Sequence, residues 1–206
     1  MMETKPMKPA SILVTAFTFL CLLSAAAADF TEVPDSASPD GGYAARTEPP
    51  ANVEDGRDGL VLYRKMTGAA VARIPLGGYA GHPGDADPAN LRLLWAPDSK
   101  HFALMFRGTK TSWTTTVYAM NAGKPVEVKL AGATSKSLEL LSASQTNRVS
   151  RETPVKWIDN GRLLLRASGD TLVGDKLMWY EIDMTCSLEG GKMTDAKVVT
   201  LKPHDG

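Results

Sequence analysis

One short phrase occurs three times in this chain, and that repetition constrains the fold more than any other feature. The first copy is SASPDGGYAARTEP, Ser36 to Pro49. The second is LWAPDSKHFALMFRG, Leu94 to Gly108, and the third is KWIDNGRLLLRASG, Lys156 to Gly169. Asp40, Asp98 and Asn160 take equivalent places, 58 and 62 residues apart. Trp95 and Trp157 match each other, and Ala37 stands in that place in the first copy. Self-similarity at such a period marks a fold built by repeating one supersecondary unit.

The chemistry of the phrase is that of a turn between strands. Pro presets φ at the first central position of a β-turn, Asp or Asn bonds its own backbone, and Gly tolerates positive φ. The runs that follow, YAA, FALMF and LLL, are apolar at consecutive positions, which suits strands covered on both faces. Downstream, Leu60–Lys65 and Ala70–Leu76 read as a hairpin around Met66-Thr67-Gly68. Thr114–Met120 and Pro125–Leu130 read as a second hairpin around Asn121–Lys124. Val126, Val128 and Leu130 alternate with Glu127 and Lys129, the period of a strand with one wet face. KLMWYEIDM and AKVVTL, linked through Gly190-Gly191, make the third pair.

The expected fold class is therefore all-β, with three four-stranded antiparallel units at about 29–77, 89–131 and 153–202. Thr134–Asn147 is the one helix candidate, with Leu138 and Leu141 on one face. Phe102, Leu104, Phe106, Trp95, Trp157 and Leu164 are the expected core.

Trp95-Ala96-Pro97-Asp98-Ser99-Lys100 and Ser38-Pro39-Asp40-Gly41-Gly42 resemble the WD40-like, PD40-type repeat of TolB-like β-propellers. Trp157-Ile158-Asp159-Asn160-Gly161-Arg162 resembles it more loosely, because the Pro is lost. The resemblance implies propeller-blade-like units and a role in protein interaction. Closed propellers use about four to eight blades, so three units imply an incomplete or open propeller. Its two terminal sheets would each present an apolar face. The segment near Phe30 and the 134–147 segment are candidate covers in a monomer, the favoured arrangement. A homodimer of three plus three units about a two-fold axis is the alternative.

The chain opens with Lys5 and Lys8, then the apolar run ILVTAFTFLCLL from Ile12 to Leu23, then small residues at Ala26 and Ala28. That three-part pattern predicts a signal peptide over 1–28 and a periplasmic or secreted domain over 29–206. The apolar run is shorter than the roughly 20 residues a spanning helix needs, so no membrane span is expected after cleavage. With 23 basic and 23 acidic residues in the whole chain, neither a nucleic-acid footprint nor a polybasic membrane patch is present. Cys21 falls in the leader, which leaves Cys186 without an intramolecular partner. Cys186 is expected as a small buried hydrophobe, with an intermolecular bridge as the alternative.

Candidate chemistry is sparse. There is no Gly-x-Ser-x-Gly elbow and no Gly-rich phosphate loop. The connection GGYAGHPGDADP brings His82 close to Asp85 and Asp87, a set that suits either a divalent metal or a solvated loop. EDGRDG, Glu54 to Gly59, reads as a turn. Trp113, after the polar stretch GTKTS, is the candidate for an exposed ligand-stacking ring, alongside His82 as a ligand contact. Trp95 and Trp157 are read as structural, His101 as a residue at the surface or blade edge, and His204 as terminal.

These readings lead to an exported, non-catalytic binding or interaction module. No cofactor is implied, and the expected partner is another envelope or secreted protein. The alternatives are a propeller-type hydrolase of a sugar or lactone, working through the His82 cluster, and an accessory fragment of a larger propeller.

Overall fold

The computed structural model describes residues 30–48, 59–76, 91–143 and 146–203, excluding the side chains of 146–148. The expected signal peptide, the 54–58 part of the acidic turn, the 77–90 connection and His204 lie outside the described residues. Among the described residues the fold is all-β apart from one helix and a 3-10 turn at Glu189–Gly191.

The strands, in chain order, are β1 (Thr31–Glu32), β2 (Tyr43–Glu48), β3 (Gly59–Arg64) and β4 (Ala70–Pro75), then β5 (Arg92–Trp95), β6 (His101–Arg107), β7 (Ser112–Asn121) and β8 (Lys124–Val128). The helix α1 (Ala133–Leu140) precedes β9 (Thr146–Trp157), β10 (Arg162–Val173), β11 (Lys176–Ser187) and β12 (Lys192–Pro203). The first four strands form an antiparallel sheet in sequential order. The other eight form a mixed sheet ordered β12-β11-β10-β9-β7-β6-β5, with β8 also paired to β7. Within it, β5–β8 and β9–β12 are each an antiparallel meander. A short parallel pairing, Ser112↔Ser150 and Trp113↔Arg151, joins the two. Three four-stranded meanders thus follow one another along the chain, as the repeated phrase implies. The third begins at Thr146 rather than near 153.

The turns carry the sequence signature. Asp40 Oδ1 accepts from Gly42 N at 2.9 Å, Asp98 Oδ1 from Lys100 N at 2.9 Å and Asp159 Oδ1 from Gly161 N at 2.9 Å. In the third copy the working carboxylate is therefore Asp159, one place before Asn160. The reason is a shorter turn. Ser38 N bonds Tyr43 O and Ala96 N bonds His101 O, but Ile158 N bonds Arg162 O, closing the third loop one residue sooner.

The matched tryptophans tie each meander to the one before it. Trp95 Nε1 donates to Ser36 O at 2.9 Å, and Trp157 Nε1 donates to Leu94 O at 3.0 Å. Ser36 and Leu94 occupy the same place in successive copies. Asp40 N also donates to Ser99 Oγ at 3.0 Å, linking the first two turns.

Two core clusters lie on either side of the middle meander. Phe102, Leu104 and Trp95 pack with Leu60, Leu62 and Ile74 of the first meander. Ala103 and Val117 pack with Leu163, Leu165, Ile182 and Met184 of the third. Phe102, Ala103 and Leu104 are all fully buried, as a strand covered on both faces requires. Cys186 is a buried free thiol whose pKa burial pushes up to about 11.

Three expected core residues are only half-buried. Leu164 faces away from the core, while Leu163 and Leu165 face in at 0% and 2% exposure. Phe106 lies where β6 passes the end of the first meander, and it lines a cleft there. Trp157 packs at the margin of the second cluster, its ring 6.1 Å from that of His101. His101 is half-buried, 3.9 Å from Asp98 through Nδ1.

The helix is shorter than the 134–147 candidate, because residues 146 and 147 belong to β9. Ala133, Ser137 and Leu141 are buried, and Leu138 is half-buried. Ser137 Oγ donates back to Ala133 O at 2.9 Å, which satisfies a hydroxyl inside an apolar contact. Glu152 Oε1 accepts from Thr134 N at 2.9 Å and Thr134 Oγ1 at 3.0 Å, anchoring the first turn. Ala133 and Leu141 join the second core cluster, so α1 does not cap the far face of the third meander.

The far face of the first sheet combines the buried Ala44, Val61 and Tyr63 with charged groups, and that of the third meander carries ion pairs and hydrogen bonds. On the far face of the first sheet, the Arg46 guanidinium lies 4.7 Å from the Phe30 ring centroid and 5.0 Å from that of Tyr63. Arg46 also pairs with Glu48 at 2.6 Å. On the far face of the third meander, Arg166 binds Asp183 bidentately at 2.6 and 2.9 Å, and Thr200 bonds Glu181 at 3.0 Å.

Candidate functional site

The joint between the second and third meanders assembles a basic and aromatic site. β6 ends at Arg107 and the chain reverses through Gly108–Thr111 into β7. Gly108 N and Thr109 N both donate to Ser112 O, at 2.9 and 3.2 Å, and Arg107 Nη2 donates to Lys110 O at 2.6 Å. This closure sets Arg107 opposite Trp113 in the antiparallel ladder. The parallel pairing then sets Arg151 of β9 beside Trp113, supported by Ser150 N donating to Thr111 O at 3.1 Å.

The indole consequently sits between two guanidinium contacts. Arg151 Cζ lies 4.2 Å from the Trp113 ring centroid and Arg107 Cζ 5.4 Å. Both are within cation–π range. Trp113 is half-buried, with the Arg151 guanidinium over its ring. The site's chemistry is that of the guanidinium forks around the ring. Arg151 makes no ion pair among the described residues.

Two clefts flank β7 and β8. The first, of about 420 Å³, opens between β4 and the outer strands of the middle meander. Ile74, Phe106 and Tyr118 give it apolar surface, and Arg73 and Glu127 supply opposite charges. Burial, with a further push from Glu127, raises the Tyr118 hydroxyl to about 12, so it remains a neutral donor at physiological pH. The second, of about 200 Å³, lies between the middle and third meanders. It is lined by Thr115, Val117, Leu165 and Glu152, whose carboxylate is engaged by the helix.

Of the residues singled out from sequence, Trp113 lies in a described site, and His82, Asp85 and Asp87 lie outside the described residues. Among the described residues no group of three or more His, Cys, Asp or Glu is placed to hold a metal ion. Also among them, no helix is long and apolar enough to cross a membrane. Arg107, Arg151 and Glu127 were not singled out. Arg107 follows the inner strand as the edge of its ladder, which is a readable cue; Arg151 reaches Trp113 only through a pairing of distant strands.

No family model matches the chain, and no curated protein matches it. Among solved structures it is similar to an acylaminoacyl peptidase of Pyrococcus horikoshii, with 14% identity and a TM-score of 0.41. The match covers 80% of this chain and 24% of that one, so the chain spans about a quarter of that protein's length.

Proposed function

We propose that the three meanders are propeller-type blades in an open stack, and that the chain is an exported, non-catalytic binding module. The observation that carries this reading is the cleft of about 420 Å³ between the first two meanders, with apolar surface from Ile74, Phe106 and Tyr118 and opposed charges at Arg73 and Glu127. Concave, mainly apolar surface with a few placed polar groups suits recognition. The matched indole bonds of Trp95 and Trp157 support a stack in which successive units repeat one contact.

The test uses the exported chain on peptide and glycan arrays, in parallel with hydrolysis assays on chromogenic glycosides and lactones. Binding without turnover is the expected result, weakened about tenfold or more by Glu127→Arg. Turnover of a glycoside or lactone that the chain itself catalyses would overturn the reading.

A further inference from the structure

We propose that the cleft between the first two meanders takes an extended peptide segment of a partner protein, with a lysine or arginine side chain at Glu127 and an apolar side chain two residues away against Ile74 and Phe106. This names the ligand class for the binding-module reading and rests on it.

The argument starts from charge. The cleft holds one basic and one acidic side chain, Arg73 and Glu127. Arg73 is already engaged: Nη1 donates to Glu48 Oε2 at 3.4 Å and Nη2 to Glu48 O at 3.2 Å. Glu127 is exposed and makes no hydrogen bond or ion pair among the described residues. The charge that a ligand meets uncompensated is therefore negative, and its complement is a cation.

An aromatic ring stands beside that carboxylate. Tyr118 lies opposite Phe102 on one side of its strand and opposite Glu127 on the other. Phe102 stacks on the Tyr118 ring at 5.0 Å and 19°. The ring face that Phe102 leaves uncovered is the one toward β8. An ammonium or guanidinium placed there meets a π face and a carboxylate together. The Tyr118 hydroxyl, neutral at physiological pH, makes no hydrogen bond among the described residues and is a donor for a peptide carbonyl.

The strand edges select a peptide over a free amine. β4 is the outermost strand of the first sheet, and β8 pairs only with β7. Four consecutive β4 residues, Ala72, Arg73, Ile74 and Pro75, line the cleft. Successive residues of a strand point to opposite faces, so the cleft follows the edge of β4 rather than one face of it. An edge strand offers backbone groups to an extended chain. In such a chain, residues two apart share a face, which sends one basic and one apolar side chain into the cleft together.

Fluorescence polarisation of the exported chain with labelled Thr-Lys-Thr-Phe-Thr amide tests the site. Counterparts with norleucine or glutamate in place of the lysine, and unlabelled butylamine as competitor, complete the set. The lysine peptide should bind, with an affinity that falls as salt rises. The norleucine peptide should bind about fivefold more weakly, the glutamate peptide more weakly still, and butylamine should compete poorly. Glu127→Gln should weaken the lysine peptide about fivefold and leave the norleucine peptide unchanged, a split that general loosening of the fold does not produce. Equal binding of the three peptides, equal losses in the variant, no binding of the lysine peptide, or butylamine binding as tightly as the peptide would each overturn the proposal. Array binding of glycans, or of peptides without a basic residue, would then leave the binding-module reading standing; blank arrays would remove both.

Discussion

The first and third meanders are both attached to the second, but by different means. The first forms a separate sheet and docks through side chains: Tyr43, Trp95, Phe102 and Tyr118 make a run of ring contacts at 5.9, 4.8 and 5.0 Å. The third shares a sheet with the second through β7 and β9, and its other contacts are largely aliphatic, with α1 packed alongside. It also gains a backbone crossing, where Ala131 N donates to Gly191 O at 2.9 Å. Ring packing rewards burial and shape, while a ladder fixes register. The first joint is accordingly the one that can open without breaking strand pairing, and the second is the one able to hold two arginines at set distances from one ring.

Phe102→Ala strikes the first joint hardest. It empties a fully buried aromatic position between Trp95 and Tyr118, and should cost about 3–5 kcal/mol in urea unfolding. Phe106→Ala, half-buried at the cleft, should cost well under half as much. Equal losses would mean that the cleft is not open. Gly191→Ala strikes the second joint. Gly191 has φ +62°, and a Cβ there would come within 2.4 Å of Lys129 O. The strain is of order 1–3 kcal/mol and should lower the unfolding midpoint of the third meander before that of the first. Uniform loosening, read by amide exchange, would break the distinction between the joints.

Trp95→Phe and Trp157→Phe compare the two indole bonds directly. The first leaves the Ser36 carbonyl short of a donor in a buried site and should cost about 1–3 kcal/mol. The second, in a half-buried ring, should cost about 1 kcal/mol or less. The reverse order would place the stronger tie at the second joint. The smallest effect concerns acid. Hydrogen bonds from Ser38 and the Gly42 amide hold the Asp40 carboxyl below its ordinary value of 3.8. A depressed folded pKa stabilises above the unfolded value, and the gain is lost as pH falls through the folded one. Asp40→Ala should therefore flatten acid unfolding only slightly below about pH 4, since the group is nearly all in water. A large change would show Asp40 to be better shielded by the Ser99 contact than its exposure implies.

The turns and strands were legible because Pro-Asp and Asn-Gly pairs specify local backbone directly. Parity was not legible in Leu163-Leu164-Leu165: three leucines in a row carry no period, so only packing against the second cluster shows which two face in. The length of α1 was obscured by a Ser-rich segment that continues without a break into β9. The shortened third turn was hidden because Asp159 and Asn160 stand side by side and either can bond the backbone. Of the basic site, Trp113 was legible as a solitary ring after a polar stretch. Arg151 was not, since it lies 38 residues further on and meets the ring only through a parallel pairing that no local pattern encodes.

The indole bonds also point in one direction along the chain. Trp95 takes an acceptor 59 residues upstream and Trp157 one 63 residues upstream, while the first copy carries Ala37 and asks for none. A polypeptide is made from its N-terminus at about 5–20 residues per second. Each tryptophan therefore leaves the ribosome several seconds after the carbonyl it will bind, at those rates. The contact order matches the order of synthesis: the second and third units can each be built onto a finished neighbour, and the first described unit carries Ala37 where the other two carry the indole.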